Sequence, residues 1–131
     1  MLDQEEGFYG KIATMFKKLI FSFRNAGNGL VTVWREEFNF KIDSLVAILV
    51  FCSFFYIDFS YLEVAILIFL VGFVLAAEIA NTAIEDLCNK VEPHHDQMIG
   101  KIKDTMGAFV LVSAITSVAV GAIIYARHIF I

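Results

Sequence analysis

Residues 64–89 read VAILIFLVGFVLAAEIANTAIEDLCN, an apolar run that passes directly into a polar one. The part from Val64 to Ala77 contains no charged residue, and the polar side chains begin at Glu78. A membrane-spanning helix needs about 20 residues, so a helix that enters near Val64 is still in the membrane, or at its edge, when it reaches Glu78. An ionisable residue at that depth is costly, and it indicates a functional site.

The polar residues that follow share one face of the predicted helix. At about 100° per residue, five of them fall within an arc of roughly 100°. They are Asn81, Glu85, Glu78, Asn89 and Thr82. Glu78 and Glu85 are about 10 Å apart along the helix axis, so one carboxylate lies deep and the other lies at the membrane rim.

The composition is typical of a small membrane protein. Of 131 residues, 59% are hydrophobic, which is too apolar for so short a soluble domain with a polar shell. The net charge of −4 argues against nucleic acid as a partner, because binding a phosphate backbone calls for clustered basic residues. Neither cysteine has metal-ligand spacing, so the cysteines indicate little about function.

The hydropathy pattern predicts an all-α membrane protein in which residues 1–131 form one membrane-embedded domain. Residues 11–41 form the surface helix region, with an amphipathic helix from about Lys11 to Asn25 and a break or kink at Gly27–Gly29. A short solvated helix packed on other protein is the alternative for this region. Three membrane-spanning helices follow, at about 42–59, 62–91 and 105–127.

The basic residues predict the orientation. Most precede the first span or lie between the second and third, none lies between the first and second, and only Arg127 follows the third. The positive-inside rule therefore places the N-terminus and the 90–104 loop in the cytoplasm. The polar face of the second span then lies at its cytoplasmic end. Because one copy with three spans cannot shield such a face from lipid, we expect a homo-oligomer.

This placement suits a reaction between a lipid headgroup and a charged cytosolic reagent. Glu85 at the rim is suited to hold Mg²⁺ on a polyphosphate, and the deeper Glu78 to take a proton from a lipid hydroxyl. Lys103 and Asp104, predicted to lie in the loop before the third span, would add a cation and a further anchor. A polar contact that fixes oligomer register, or an ion or proton path, also fits these residues.

The motif Glu-x-x-Asn-Thr-Ala-Ile-Glu at 78–85, followed by Lys103-Asp104, resembles the signature of the prokaryotic diacylglycerol kinase family. These are small integral membrane lipid kinases, and they include the undecaprenol kinases. The segment EFNFKI at 37–42 also resembles the pre-membrane region of the family, and the resemblance covers about residues 18–120.

The resemblance implies a homotrimer in which each chain has surface helices and three spans. It further implies active sites at subunit boundaries, on the cytoplasmic face of the bacterial inner membrane. The implied reaction transfers the γ-phosphate of ATP to a lipid alcohol, either diacylglycerol or undecaprenol.

The resemblance also implies roles for single residues. Glu78 would be the general base, and Glu37 and Glu85 would bind the Mg²⁺ that accompanies ATP. Lys103 would contact the phosphates, and Asp104 would support nucleotide binding. The remaining implied contacts are Asn81 and Asn89 in support of the site, and Lys18, His94, His95 and Asp96 at the nucleotide. From the sequence alone, Glu37 is equally a solvated carboxylate, and residues 94–96 are equally an ordinary polar turn.

Two positions depart from the family pattern. Asn89 stands where the family usually has Asp, which removes a negative charge from the active face. Phe109 is bulky where a small residue is usual, so we expect a narrower lipid groove or altered packing between chains.

The usual glycine-rich nucleotide loops are missing from the sequence, so carboxylates, a metal and Lys103 would have to hold the nucleotide. The alternative function is that of a non-enzymatic small membrane transporter or assembly protein, in which the polar face serves oligomerisation.

Overall fold

The structure, a computed structural model, describes the backbone of residues 2–130 and the side chains of residues 10–130. This part of the chain contains helices and no strands, as the sequence predicts. The helices are α1 (Leu2–Glu36), α2 (Phe38–Ser53), α3 (Tyr61–Val91) and α4 (Gln97–Phe130). They fall into two compact units, with the boundary between Glu36 and Glu37.

The first unit is the single long helix α1. Most of its described apolar side chains are open to the surroundings, with Met15 and Phe23 each 70% exposed and Phe16 60% exposed, whereas Val33 is buried. A break at Gly27–Gly29 is wrong, because the helix continues through both glycines and neither has a positive φ, whereas a kink there stays a prediction. Glycine costs a helix only about 1 kcal/mol relative to alanine, which a helix of 35 residues tolerates.

In the second unit, α3 is the central helix and both α2 and α4 pack against it. The short connection over residues 54–60 makes α2 and α3 an antiparallel pair. The start of α2 therefore lies beside the C-terminal half of α3. Helix α2 begins and ends earlier than the predicted 42–59 segment. It ends at Ser53, because the amides of Phe55 and Tyr56 donate to the carbonyls of Cys52 and Ser53 in tighter turns.

The end of this unit near residues 54–60 is held by aromatic and polar contacts. The Phe59 ring centroid lies 5.4 Å from that of Tyr125 and 4.8 Å from that of His128, both edge-on. The hydroxyls of Ser53 and Tyr125 are 2.6 Å apart. Side chains of α2, α4 and the connection therefore meet here, and we call this end of the unit the closed end.

A capping box starts α3 at the closed end. The hydroxyl of Ser60 accepts from the amide of Glu63 at 3.3 Å, and the Glu63 carboxylate accepts from the amide of Ser60 at 2.8 Å. The other oxygen of Glu63 lies 3.1 Å from the Arg127 guanidinium and 3.4 Å from Nε2 of His128. Glu63, a residue that is only 8% exposed, thus joins the start of α3 to the last turn of α4 through its carboxylate.

Helices α3 and α4 are long and apolar enough to cross a membrane. Only 28% of the most apolar stretch of α3 and 11% of that of α4 are buried within the unit. The core helix of a soluble protein, in contrast, is mostly buried. Helix α3 covers the predicted 62–91 segment, and α4 extends past both ends of the predicted 105–127 segment. Their length and outward apolar surface are those of membrane helices.

Candidate active site

Glu78 lies where α3 is enclosed by its neighbours. Ala77 is 2% exposed, and Glu78 and Thr82 are each 3% exposed. The Thr82 hydroxyl donates to the main-chain oxygen of Glu78 at 3.0 Å, so this hydroxyl is satisfied within the helix itself. The fold therefore holds the Glu78 carboxylate inside the packed second unit, away from open solvent.

Three other carboxylates act electrostatically on Glu78. They belong to Asp43, Glu37 and Glu85, and Asp43 has the strongest effect. Glu37 and Asp43 come from the start of α2, which the antiparallel packing places beside the C-terminal half of α3. We call Glu37, Asp43, Glu78 and Glu85 the acidic cluster. Because like charges repel strongly when partly desolvated, the cluster favours a bound cation.

Asp43 is a member of this cluster that the sequence reasoning missed. In the sequence it directly precedes an uncharged run over residues 44–57 and belongs to no motif of its own. A usable signal was present, since two apolar helices joined by a short turn run antiparallel. Acids that precede the first helix then meet acids that end the second.

Glu85 is held by an amide one turn before it. The side-chain nitrogen of Asn81 donates to Oε1 of Glu85 at 3.1 Å. The side-chain oxygen of Asn81 is buried and has no hydrogen-bond partner among the described residues. A buried acceptor without a donor carries a free-energy cost, and a hydroxyl group of a ligand would relieve it. Asn81 therefore supports Glu85 with one end of its amide and leaves the other end open.

A second polar contact joins α3 to α4 at the same end of the unit. The ammonium of Lys103 donates to the side-chain oxygen of Asn89 at 2.7 Å. Lys103 and Asp104 are helical residues near the start of α4, so the prediction that they lie in a loop is wrong. The helix starts at Gln97 because the Asp96 carboxylate accepts from the amides of Met98 and Ile99, both at 2.9 Å.

The predicted nucleotide loop lies between α3 and α4. In addition to the Asp96 cap, Glu92 accepts from the amide of His94 at 3.0 Å and contacts its ring nitrogen at 3.1 Å. These contacts are those of an ordered polar turn, while His95 is exposed. Lys18 is exposed on α1, in the other unit, and its part in the site stays a prediction.

An apolar groove leads toward the acidic cluster. It has a volume of about 370 Å³ and is lined by side chains of α2, α3 and α4. Asp43 of the cluster lines it, as do Val74 and Leu75. Glu78 follows these two residues by about one helical turn on the same side of α3, so the groove and the buried carboxylate are adjacent.

Phe109 does not line this groove. Its ring instead packs edge-on against Phe73 of α3, with centroids 6.1 Å apart. Its bulk therefore adds to the contact between α3 and α4, and it leaves the groove within one chain at its full width.

The donor set of the cluster suits a hard divalent cation. Carboxylate oxygens are the protein ligands that Mg²⁺ prefers, and Mg²⁺ commonly takes one or two of them together with phosphate oxygens and water. Among the described residues, no set of three or more His, Cys, Asp or Glu is arranged as a complete metal site. Glu37 and Glu85 are nevertheless of the right type for a cation that arrives with a phosphate ligand.

Comparison with protein families gives one match over most of the chain. Residues 24–125 match the model of the family described as prokaryotic diacylglycerol kinase. The matched region contains the whole acidic cluster, Asn89 and Lys103.

Two relatives of known activity are similar over most of their length. An undecaprenol kinase of Bacillus subtilis is 31% identical over 104 residues, which cover 79% of this chain and 85% of the relative. A diacylglycerol kinase of Escherichia coli is 26% identical over 115 residues, which cover 88% of this chain and 94% of the relative. The two relatives carry the names of kinases for different lipid alcohols.

Proposed function

The chain belongs to the prokaryotic diacylglycerol kinase family, and we propose on that premise that it is an ATP-dependent membrane lipid kinase. The reaction would transfer the γ-phosphate of ATP to the hydroxyl of a lipid alcohol. One observation supports this above the others: an apolar groove lies beside a buried carboxylate, and three further carboxylates are near enough to act on that residue electrostatically. A lipid chain and a charged nucleotide thus both have a suitable place in one small unit.

Glu78 would act as the general base. It is the enclosed member of the cluster, and it lies next to the groove that would hold the lipid chain. A lipid hydroxyl beside this carboxylate would give up its proton as its oxygen attacks the γ-phosphate. The free oxygen of Asn81 would accept a hydrogen bond from the same hydroxyl or from a neighbouring group.

Glu37 and Glu85 would hold Mg²⁺ on the nucleotide. When bound, Mg²⁺ neutralises the charge on the phosphate oxygens during transfer. The chain contributes by keeping Glu85 oriented through Asn81 and by bringing Glu37 to the same cluster. Asp43 adds negative charge that would strengthen cation binding.

The remaining polar residues at this end would hold the nucleotide. Lys103 would contact the phosphates, and Asp104 beside it would support nucleotide binding. His94, His95 and Asp96 would form the loop that touches the nucleotide, and Lys18 would add a basic contact from α1.

We propose that the chain crosses the bacterial inner membrane three times and assembles as a homotrimer. Helix α2 has 16 residues and a length of about 24 Å, close to the hydrocarbon thickness of about 30 Å. The N-terminus and the acidic cluster would face the cytoplasm, and α1 would lie on the membrane surface. Trimer formation would cover apolar and polar side chains that one copy leaves exposed.

The acceptor is either diacylglycerol or undecaprenol. Both lipids present a primary hydroxyl at the interface, and the groove is apolar enough for either hydrocarbon. The motif at residues 37–39 resembles the undecaprenol kinases slightly more closely, and the relative named for that activity is 31% identical to this chain over 104 residues.

The test is transfer of labelled γ-phosphate from ATP to lipid by the purified protein in mixed micelles with Mg²⁺. Diacylglycerol and undecaprenol are compared in the same assay, and we expect labelled lipid with at least one of them. We expect no transfer by Glu78→Gln, because the amide cannot take a proton, with the oligomer unchanged on size exclusion.

The matched control is Asp86→Asn, which removes an exposed acid from the same helix and should retain activity. Wild-type protein that labels neither lipid would overturn the proposal. If Glu78→Gln lost its assembly together with its activity, the polar face would be a packing contact, as the non-enzymatic alternative requires.

A further inference from the structure

The contact between Lys103 and Asn89 has a chemical property that the proposed roles do not explain. The ammonium donates to a neutral amide oxygen at 2.7 Å. Among the described residues, no carboxylate lies within ion-pair distance of Lys103. A lysine beside the acidic cluster is therefore oriented by a neutral amide, with no carboxylate of the described residues paired to its ammonium.

An amide and a carboxylate would hold this lysine with different consequences. Both accept a hydrogen bond from an ammonium, so both orient the side chain. A carboxylate would also neutralise the ammonium and compete with any other anion for it. The amide of Asn89 supplies the orientation alone.

The location of the pair indicates which anion the lysine meets. Asn89 follows Glu85 by one helical turn, about 6 Å along α3, on the face that carries the acidic cluster. Lys103 reaches the same place from α4. A cation held beside carboxylates that would carry Mg²⁺ matches a polyphosphate, whose oxygens bind both kinds of positive charge.

We propose that Asn89 is a positioning residue, which holds Lys103 as an uncompensated cation toward the phosphates of Mg²⁺–ATP. This inference rests on the proposed kinase function. It adds that the side chain at position 89 sets nucleotide affinity through charge, without touching the lipid.

The test measures binding of Mg²⁺ with a non-hydrolysable ATP analogue to the purified protein in detergent. Asn89→Asp keeps the size and the acceptor and adds one charge, so we expect binding to weaken about threefold to fivefold, the range of an exposed ion pair. The difference from wild type should shrink as salt is raised, since salt screens the added charge. Asn25→Asp, an exposed site on α1, is the control for net charge and should bind as wild type does.

A double-mutant cycle separates charge from structure. In a Lys103→Gln background, adding Asn89→Asp should change nucleotide binding much less than it does alone, because its target is gone. Asn89→Ala, which removes the acceptor without adding charge, should weaken binding with little dependence on salt. The inference fails if Asn89→Asp binds as tightly as wild type, or if its effect is the same with and without Lys103.

These failures are distinct from failure of the kinase proposal. If wild-type protein transfers phosphate to lipid and the Asn89 variants bind nucleotide normally, only the role of Asn89 is wrong. If wild-type protein transfers none, the kinase proposal is wrong, whatever the variants bind.

Discussion

At the scale of single residues, burial separates the two acids of the motif on α3. Glu78 is 3% exposed and lies beside the apolar groove, whereas Glu85 is partly exposed and is held by Asn81. A buried carboxylate next to an apolar groove suits proton transfer with a lipid. A more open and oriented carboxylate suits a hydrated cation, because Mg²⁺ keeps several waters when it binds. In the proposed mechanism, the same residue type would therefore serve two tasks within two helical turns.

We predict that Glu85→Gln raises the Mg²⁺ concentration needed for half-maximal activity by about tenfold to a hundredfold. The amide loses the charge that attracts the cation, while Glu78 and the groove remain. The measurement is a Mg²⁺ titration of lipid phosphorylation at fixed total ATP. Asp86→Asn, the neighbouring acid on the exposed side, should keep the wild-type requirement. An unchanged requirement in Glu85→Gln would remove this residue from the metal site.

At the scale of helices, the two ends of α3 have different roles: the closed end carries contacts that stabilise the fold, and the other end carries the acidic cluster. The first turn is fixed by the capping box and by the contacts of Glu63 with α4. The last turns carry the polar face, where Lys103 of α4 reaches across to Asn89. Stability contacts and site contacts thus lie at opposite ends of one helix, about 22 Å apart between Glu63 and Glu78.

We predict that Glu63→Ala lowers the free energy of unfolding by about 1–3 kcal/mol and leaves the activity of the folded protein unchanged. The variant loses one side of the capping box and the carboxylate that faces Arg127 and His128. The measurement is unfolding by SDS in mixed micelles, followed by circular dichroism. Arg127→Ala should cost less than about 1 kcal/mol, since its side chain is 67% exposed. A Glu63→Ala variant that is as stable as wild type, or inactive while folded, would contradict this division.

At the scale of the whole molecule, the sequence predicted the helices well wherever hydropathy alone defines them. The apolar run before Glu78 gave the length of α3, and its polar face gave Glu78, Asn81 and Glu85. The pattern failed where several local signals compete. The glycines of α1 predicted a break or kink, whereas the helix continues through them. The charges at 101–104 predicted a loop, whereas the Asp96 cap starts a helix at Gln97 that includes them. Asp43 was missed because its role depends on the pairing of two helices.

The last prediction concerns the membrane topology. Helix α2 has 16 residues, fewer than the usual length of about 20 for a membrane span, so its crossing is the step to test. If α2, α3 and α4 all cross, residue 58 lies outside the cell, while residues 25 and 95 lie inside. In a background of Cys52→Ala and Cys88→Ala, we predict that Asp58→Cys reacts with a membrane-impermeant maleimide in intact spheroplasts. Asn25→Cys and His95→Cys should react only after permeabilisation. If the cysteines at positions 25 and 58 both reacted from outside, α2 would not cross the membrane. If those at positions 58 and 95 reacted from the same side, α3 would not cross. Either result would contradict the proposed topology, in which the antiparallel pairing of α2 and α3 brings Glu37 and Asp43 to Glu78 on the cytoplasmic side.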